Sequence, residues 1–277
     1  MPITVMALYF CSMKYCWIAL SAVLFFACKN KGDESKGKDP EKLTPQVEQL
    51  VSAVGQHPDS VGLRLQLVDA LDSMGNLTLA MVQMDSLIKK DSGNFGLWYK
   101  LGSLKERSGD TILAIGAYGV AAKIYPTPDV LLTLGNLFAE TKDSRVFKTV
   151  AQVAEMRLGR TYQSHCDFIV GVYYARTGNT KAAISQFNAC INNNYGYLEA
   201  YMEKGFIYFD AKDFVSANQV FQTVVTIRNN YADGYYWLGK TAETQQLKAE
   251  AIAQYERSLA LDPSLKEASA AISRLKN

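Results

Sequence analysis

The sequence predicts an all-α fold of stacked helix pairs, because one pattern returns about every 34 residues through most of the chain. The repeat units are taken to begin at Val61, Phe95, Pro128, Ser164, Leu198 and Ala232. Five of the six units carry glycine at the eighth place, and five carry alanine at the twentieth. Small residues at these two places let two antiparallel helices approach closely, and the large residue usual at place twenty-four fills the space between them.

A short turn is predicted between the two helices of each unit. Its sequence is MGN at 74–76, SGD at 108–110 and TGN at 177–179. Glycine adopts the left-handed backbone that ends a helix, and the Asn or Asp that follows can cap the next helix. Pro126 and Pro263 stand where a unit must end, because proline cannot continue a helix interior.

These motifs resemble the tetratricopeptide repeat family, and the segments WYKLGSLKERSGDTILAIGAY (98–118) and FIVGVYYARTGNTKAAISQF (168–187) are the clearest copies. The resemblance implies a right-handed superhelix of about six helix-turn-helix repeats, whose first helices line a concave surface. The predicted repeat domain covers 44–277, opens with a lone helix in PQVEQLVSAVGQHP and ends with a polar-faced capping helix at 264–277. Its units are 61–94, 95–127, 128–163, 164–197, 198–231 and 232–265.

Unit three departs from this pattern. Phe147 and Ala151 reverse its order of small and large residues, and the next unit follows after 36 residues instead of 34. Ordinary sequence drift explains this departure, and the alternative is a kink or hinge between two halves of the array.

The N-terminal segment resembles a bacterial lipoprotein signal. Lys14 precedes the uncharged stretch YCWIALSAVLFFAC, which ends at Cys28 and is shorter than the roughly 20 residues of a bilayer span. The resemblance implies that residues 1–27 are removed and that Cys28 receives a lipid. Residues 28–43 then form a charged tether, whose coil spans roughly 20 Å. An uncleaved membrane anchor and ordinary secretion are the alternatives, and Met13 is an alternative start.

The concave surface changes character from unit four onward, where large apolar residues replace mixed polar ones. Exposed apolar clusters usually mark contact sites, so the surface is predicted to bind a helical or extended segment of a partner protein. The alternative is that packing covers these side chains internally. The residues predicted to form the partner-binding groove are Phe168, Met202, Phe206, Phe209, Tyr236, Trp237, Arg176 and Lys240.

Composition and motifs exclude several other functions. A formal net charge of +2 without any basic block argues against nucleic acid. The adjacent residues His165, Cys166 and Asp167 point in different directions on a helix, so they are not expected to form a catalytic unit. Cys166 and Cys190 fall on facing helices. A disulfide between them is one alternative, although packed helices usually hold Cα atoms too far apart for one. No enzyme activity, cofactor or metal is predicted.

The sequence thus predicts a lipid-anchored scaffold of the bacterial cell envelope. The outer membrane is the expected location, since Lys29 after the anchor offers no acidic cue for inner-membrane retention. Two other functions remain open, which are glycan capture on Trp237 and Tyr236, and a structural array that associates with itself.

Overall fold

The computed structural model describes residues 43–277, so the predicted signal, Cys28 and all but the last residue of the tether lie outside it. The described residues form fourteen α-helices and no strand, and the prediction of an all-α fold is confirmed. The helices are α1 (Pro45–Gln56), α2 (Val61–Ser73), α3 (Leu77–Lys90), α4 (Phe95–Arg107), α5 (Thr111–Ile124), α6 (Pro128–Glu140), α7 (Arg145–Glu155), α8 (Arg160–Arg176), α9 (Thr180–Asn193), α10 (Leu198–Asp210), α11 (Phe214–Ile227), α12 (Ala232–Thr244), α13 (Lys248–Leu261) and α14 (Lys266–Lys276).

The helices pack as consecutive pairs from α2/α3 to α12/α13, and each pair also packs on the next. The first helix of five pairs begins at the residue where the repeat unit was taken to begin. The exception is α8, which begins at Arg160 and so gains one turn ahead of Ser164. Helices α1 and α14 pack on the two ends of the array.

Glycine at the eighth place of a unit faces the large ring at place twenty-four. A Cβ atom added to Gly171 would lie 2.5 Å from the ring of Phe187, which is fully buried. The same approach recurs in the second, fifth and sixth units, where the rings belong to Tyr118, Phe221 and Tyr255. The close contact between the two helices of these units therefore depends on a missing side chain at place eight.

Unit three solves the same packing problem with a residue of its neighbour. Place twenty-four of this unit is Ala151, which is exposed. Gly135 is contacted instead by Ile169 of α8, whose methyl carbon would lie 3.3 Å from an added Cβ. Helix α6 consequently packs directly on α8 as well as on α7. The departure seen in the sequence thus reflects a substitution between repeats: Ile169 of unit four packs on the glycine of unit three in place of a large residue from unit three itself.

Each unit turns at its fifteenth place through a left-handed residue. Gly75, Gly109 and Gly178 occupy this place with φ between 79° and 84°. In the other three units the same place is taken by Lys142, Lys212 and Gln246, with φ of 60° to 62°. The following residue caps the second helix in the three glycine turns, where Asn76, Asp110 and Asn179 accept a hydrogen bond from the backbone N–H three residues on.

The two end helices bury little of their surface. Helix α1 contributes Val47 and Val54 to the core, and α14 contributes Ala268 and Ala271. Most of their other exposed residues are polar, with Val51 of α1 as an exposed apolar exception, and a largely polar outer face is what the ends of a repeat array require. Among the helices between residues 43 and 277, none is both long and apolar enough to cross a bilayer.

Candidate functional site

Four aromatic side chains of units five and six gather on the face formed by helices α10 and α12. Phe206 and Phe209 come from α10, and Tyr236 and Trp237 from α12; together we call them the aromatic cluster. The ring centroid of Trp237 lies 4.6 Å from that of Phe206, 5.4 Å from that of Phe209 and 5.9 Å from that of Tyr236. These separations are favourable for aromatic pairs, so the cluster joins the two repeats across their joint.

Trp237 forms the floor of this cluster instead of its surface. Only 4% of Trp237 is exposed, because its ring stacks on Phe221 at 5.8 Å, and Phe221 in turn covers Gly205. Met202 is buried in the same core. The structure therefore corrects the prediction for Trp237 and Met202, which do not line the groove.

The accessible part of the cluster consists of Phe206, Phe209 and Tyr236, which are half-buried. Lys240 lies above the rings, with its Nζ atom 4.5 Å from the centroid of Trp237 and 5.9 Å from those of Phe209 and Tyr236. An ammonium over aromatic faces is attracted by their negative quadrupole. The accessible part of the cluster thus consists of three half-buried rings beside an ammonium group, an arrangement suited to apolar contact.

Arg176 lies further along the same face and is held by two carboxylates. Its guanidinium donates to both oxygens of Glu140 at 2.7 Å, and to both oxygens of Glu203 at 2.9 and 3.1 Å. Burial alone would lower the pKa of Arg176, but the hydrogen bonds and charges of the two glutamates outweigh it and the pKa is raised. Because these residues belong to α6, α8 and α10, Arg176 ties three consecutive repeats together, and its main contacts are within the protein.

Ion pairs between successive first helices recur elsewhere in the array. Asp72 of α2 pairs with Lys100 and Arg107 of α4, and Glu243 of α12 pairs with Arg274 of α14. Their sequence separations are 28, 35 and 31 residues, which lie on both sides of the repeat period of about 34. The sequence analysis missed both partners of Arg176. Opposite charges about one period apart would have predicted Glu140, which stands 36 residues before Arg176, but not Glu203, which stands 27 residues after it.

Phe168 belongs to a second group of rings on α8 and the α9–α10 connection. Its ring lies 5.0 Å from Tyr197 and 5.9 Å from Phe187. His165 completes this group through a contact of 2.9 Å between its Nδ1 and the hydroxyl of Tyr197. Burial lowers the pKa of His165, while the charge of Glu199 acts in the opposite direction. The predicted groove residue Phe168 therefore lies in a group of rings separate from the aromatic cluster. It lies beside His165, whose lowered pKa favours the neutral imidazole.

The triplet His165-Cys166-Asp167 does not form a catalytic unit. The Sγ atom of Cys166 faces the carbonyl of Val150 at 3.8 Å, and Asp167 accepts hydrogen bonds from Gln163 and Asn193 at 2.8 Å each. Burial raises the pKa of the Cys166 thiol to about 11, which keeps it protonated and a poor nucleophile near neutral pH.

The sequence did not decide whether Cys166 and Cys190 form a disulfide. In the structure both cysteines are buried and neither is bonded to another cysteine. Within residues 43–277, no group of three His, Cys, Asp or Glu side chains could hold a metal ion.

Comparison with solved structures supports the fold. The chain is similar to a tetratricopeptide repeat protein from Parabacteroides merdae, with a TM-score of 0.67 and 17% identity over 83% of this chain and 91% of that one. It is also similar to pilF of Pseudomonas aeruginosa, with a TM-score of 0.53 and 15% identity over 81% and 97% of the two chains. A thermophilic repeat protein from Thermus thermophilus gives a TM-score of 0.53 and 15% identity over 66% and 98%.

Comparison of sequences supports the repeat itself. No curated protein sequence matches the chain. Residues 232–265, which are the sixth predicted unit, match the family described as the tetratricopeptide repeat. The described chain therefore has the all-helical fold of tetratricopeptide repeat proteins, and its sixth unit carries the sequence pattern of that repeat.

Proposed function

We propose that the protein is a lipid-anchored scaffold of the bacterial cell envelope, located at the outer membrane, which binds a segment of a partner protein beside the aromatic cluster. The observation that carries this proposal is the gathering of half-buried Phe206, Phe209 and Tyr236 over the buried ring of Trp237. Rings fixed in place from below lose little side-chain freedom when a ligand covers them, so their burial contributes efficiently to affinity.

The chemistry of the cluster favours an apolar helical or extended peptide segment over other ligands. The half-buried rings offer apolar contact, and the Lys240 ammonium beside them supplies a positive charge at the rim. Proteins recognise amphipathic segments by this combination of an apolar groove and a charged rim. The repeat fold suits such a role, since the stacked first helices present a continuous surface.

We expect two surface substitutions to abolish binding without unfolding the array. In the full chain, Phe209→Ser together with Tyr236→Ser removes two of the three accessible rings, and each contact ring of this kind contributes about 2 kcal/mol, or about thirtyfold in affinity. The measurement is binding of the full chain to an array of amphipathic peptides. The matched control is Tyr125→Ser, because Tyr125 is an exposed ring at the end of α5, away from the cluster.

The outcomes separate this function from its alternatives. Equal peptide binding by the groove variant and the control would contradict the proposal. Hits on a glycan array that need Tyr236 would point to sugar capture, and a mass that grows with concentration in light scattering would point to a self-associating array.

The proposed anchor rests on the N-terminal sequence and has its own test. We expect Cys28→Ala to leave the chain at the mass of the precursor, because the lipid is joined to the Cys28 sulfur before residues 1–27 are removed. Mass spectrometry of the chain purified from membranes measures this directly, and a Cys11→Ala variant is the control. Normal cleavage in the Cys28→Ala variant would indicate ordinary secretion, and an uncleaved wild type would indicate a membrane anchor.

A further inference from the structure

Units two and six share a glutamate at place twelve and a tyrosine at place twenty-four, which no other unit combines. In unit two, the hydroxyl of Tyr118 donates to Oε2 of Glu106 at 2.9 Å. In unit six, the hydroxyl of Tyr255 donates to Oε2 of Glu243 at 2.8 Å. Both tyrosines are buried, and each ring packs on the glycine at place eight of its own unit. The two repeats therefore hold a carboxylate in the same way and at the same place.

In unit six, an arginine of the last helix completes this arrangement. The guanidinium of Arg274 donates to Oε1 of Glu243, through Nη2 at 2.6 Å and through Nε at 3.2 Å. Arg274 is the ninth residue of α14, which packs on α13. One carboxylate oxygen thus accepts from a tyrosine hydroxyl and the other from a guanidinium, and such charge-assisted hydrogen bonds are the strong ones in proteins.

The corresponding place beside unit two holds no cation. Helix α6 packs on α5 as α14 packs on α13, and the ninth residue of α6 is Asn136. Its side chain is shorter than that of arginine and carries no charge. Within residues 43–277, no lysine or arginine forms an ion pair with Glu106. Unit two therefore repeats the carboxylate of unit six without repeating its guanidinium.

The Oε1 atom of Glu106 is open to a group from outside the chain. It accepts no hydrogen bond from residues 43–277, and no side-chain oxygen that these residues enclose lacks a partner, so the atom reaches solvent. Burial raises the pKa of the half-buried Glu106, and the hydroxyl of Tyr118 offsets only part of this rise. A cation that donates to Oε1 would favour the ionised carboxylate.

We propose that Glu106 binds an arginine side chain of a partner protein, in the way that Glu243 binds Arg274. A guanidinium suits this site better than an ammonium, because it is planar, presents several N–H groups in a fixed fork and is more weakly hydrated. The inference goes beyond the proposed function, since the site lies in unit two and depends neither on the aromatic cluster nor on the lipid anchor. It adds a basic residue to the chemistry expected of a partner.

The test follows the side-chain carboxyl carbon of Glu106 by NMR in the full chain, and the Glu106→Gln variant identifies its signal. The probe is N-acetyl-arginine N-methylamide, and the matched control probe carries citrulline, which has a similar shape without the charge. We expect the arginine probe to shift the Glu106 signal saturably and to bind at least about tenfold more tightly than the citrulline probe. The Glu243 signal should stay in place, because Arg274 already donates to its Oε1.

Two substitutions should exchange the behaviour of the two units. Asn136→Arg puts a guanidinium at the ninth residue of α6, so we expect it to weaken binding of the arginine probe at Glu106 at least about tenfold. Arg274→Ala removes the guanidinium of α14, so the Glu243 signal should begin to respond to the arginine probe. Circular dichroism of both variants verifies that they fold.

The remaining outcomes would overturn the inference. Equal binding of the two probes would show that no charge is recognised, and an unmoved Glu106 signal would show that the carboxylate binds no guanidinium. Undiminished binding in a folded Asn136→Arg variant would show that the site differs from that of unit six. If Asn136→Arg does not fold, a Glu243 signal that stays silent in Arg274→Ala decides against the inference. Peptide binding at the aromatic cluster is decided separately by its own assay.

Discussion

Gly171→Ala is expected to lower the free energy of unfolding by about 2 kcal/mol. The added Cβ would lie 2.5 to 3.1 Å from three carbons of the Phe187 ring, which is fully buried and cannot turn away. Overpacking of a tight core site costs about 3 kcal/mol at its upper range, and replacing glycine by alanine within a helix returns about 1 kcal/mol. Urea unfolding followed by circular dichroism measures the difference.

Gly116→Ala is the control for this prediction. Gly116 also lies inside a helix, but it is exposed and an added Cβ would meet nothing within 4 Å. Here only the helix propensity changes, so we expect the free energy of unfolding to rise by up to about 1 kcal/mol. The two variants should therefore differ by about 3 kcal/mol. Equal stability of the two would show that the contact between Gly171 and Phe187 does not limit the packing of α8 on α9.

Arg176→Ala is expected to have an effect of similar size for an electrostatic reason. The substitution leaves Glu140 and Glu203 close together, with 24% and 16% of their side chains exposed and the cation between them removed. Breaking a buried ion pair on one side costs about 3–5 kcal/mol, and residual solvent screening here reduces this to about 2 kcal/mol. Thermal and urea unfolding of the full chain measure the loss.

Two further variants identify the cause of that loss. In Arg176→Ala, adding Glu203→Gln should restore part of the stability because it removes one of two like charges. Lys276→Ala is the control, since Lys276 and its partner Glu256 are each more than half exposed and such pairs contribute about 0.5 kcal/mol or less. If the double variant were less stable than Arg176→Ala alone, repulsion between the glutamates would not be the cause.

The helix pairs were predictable because they depend on residues within one unit. The facing pair Gly171 and Phe187 stands sixteen residues apart, and the turn at Gly178 with its cap at Asn179 is a local motif. Small residues at fixed places limit how the two helices can meet, and the repeat period then sets the stacking. The same pattern indicated that α14 would close the array.

The depth of the groove residues was not predictable to the same extent. Trp237 lies in the core because Phe206 and Phe209 of the preceding repeat fold over it, while Phe206 itself stays half-buried. Whether a side chain at the joint is covered depends on the sizes of its neighbours in another unit. Likewise, Arg176 was predicted to face a ligand and is held by two glutamates, one of which stands 36 residues away.

The exchange of Ile169 into the space above Gly135 has a consequence for the design of shortened versions of this protein. Units two, four, five and six each contain both the glycine at place eight and the large ring that packs on it, so each of them can be removed as a complete module. Unit three cannot be removed in this way, because Ile169 of unit four packs on Gly135 of unit three. Without unit three, Ile169 would face unit two, where the space beside Gly102 is already occupied by the ring of Tyr118. Units three and four therefore form one indivisible block within an otherwise modular array.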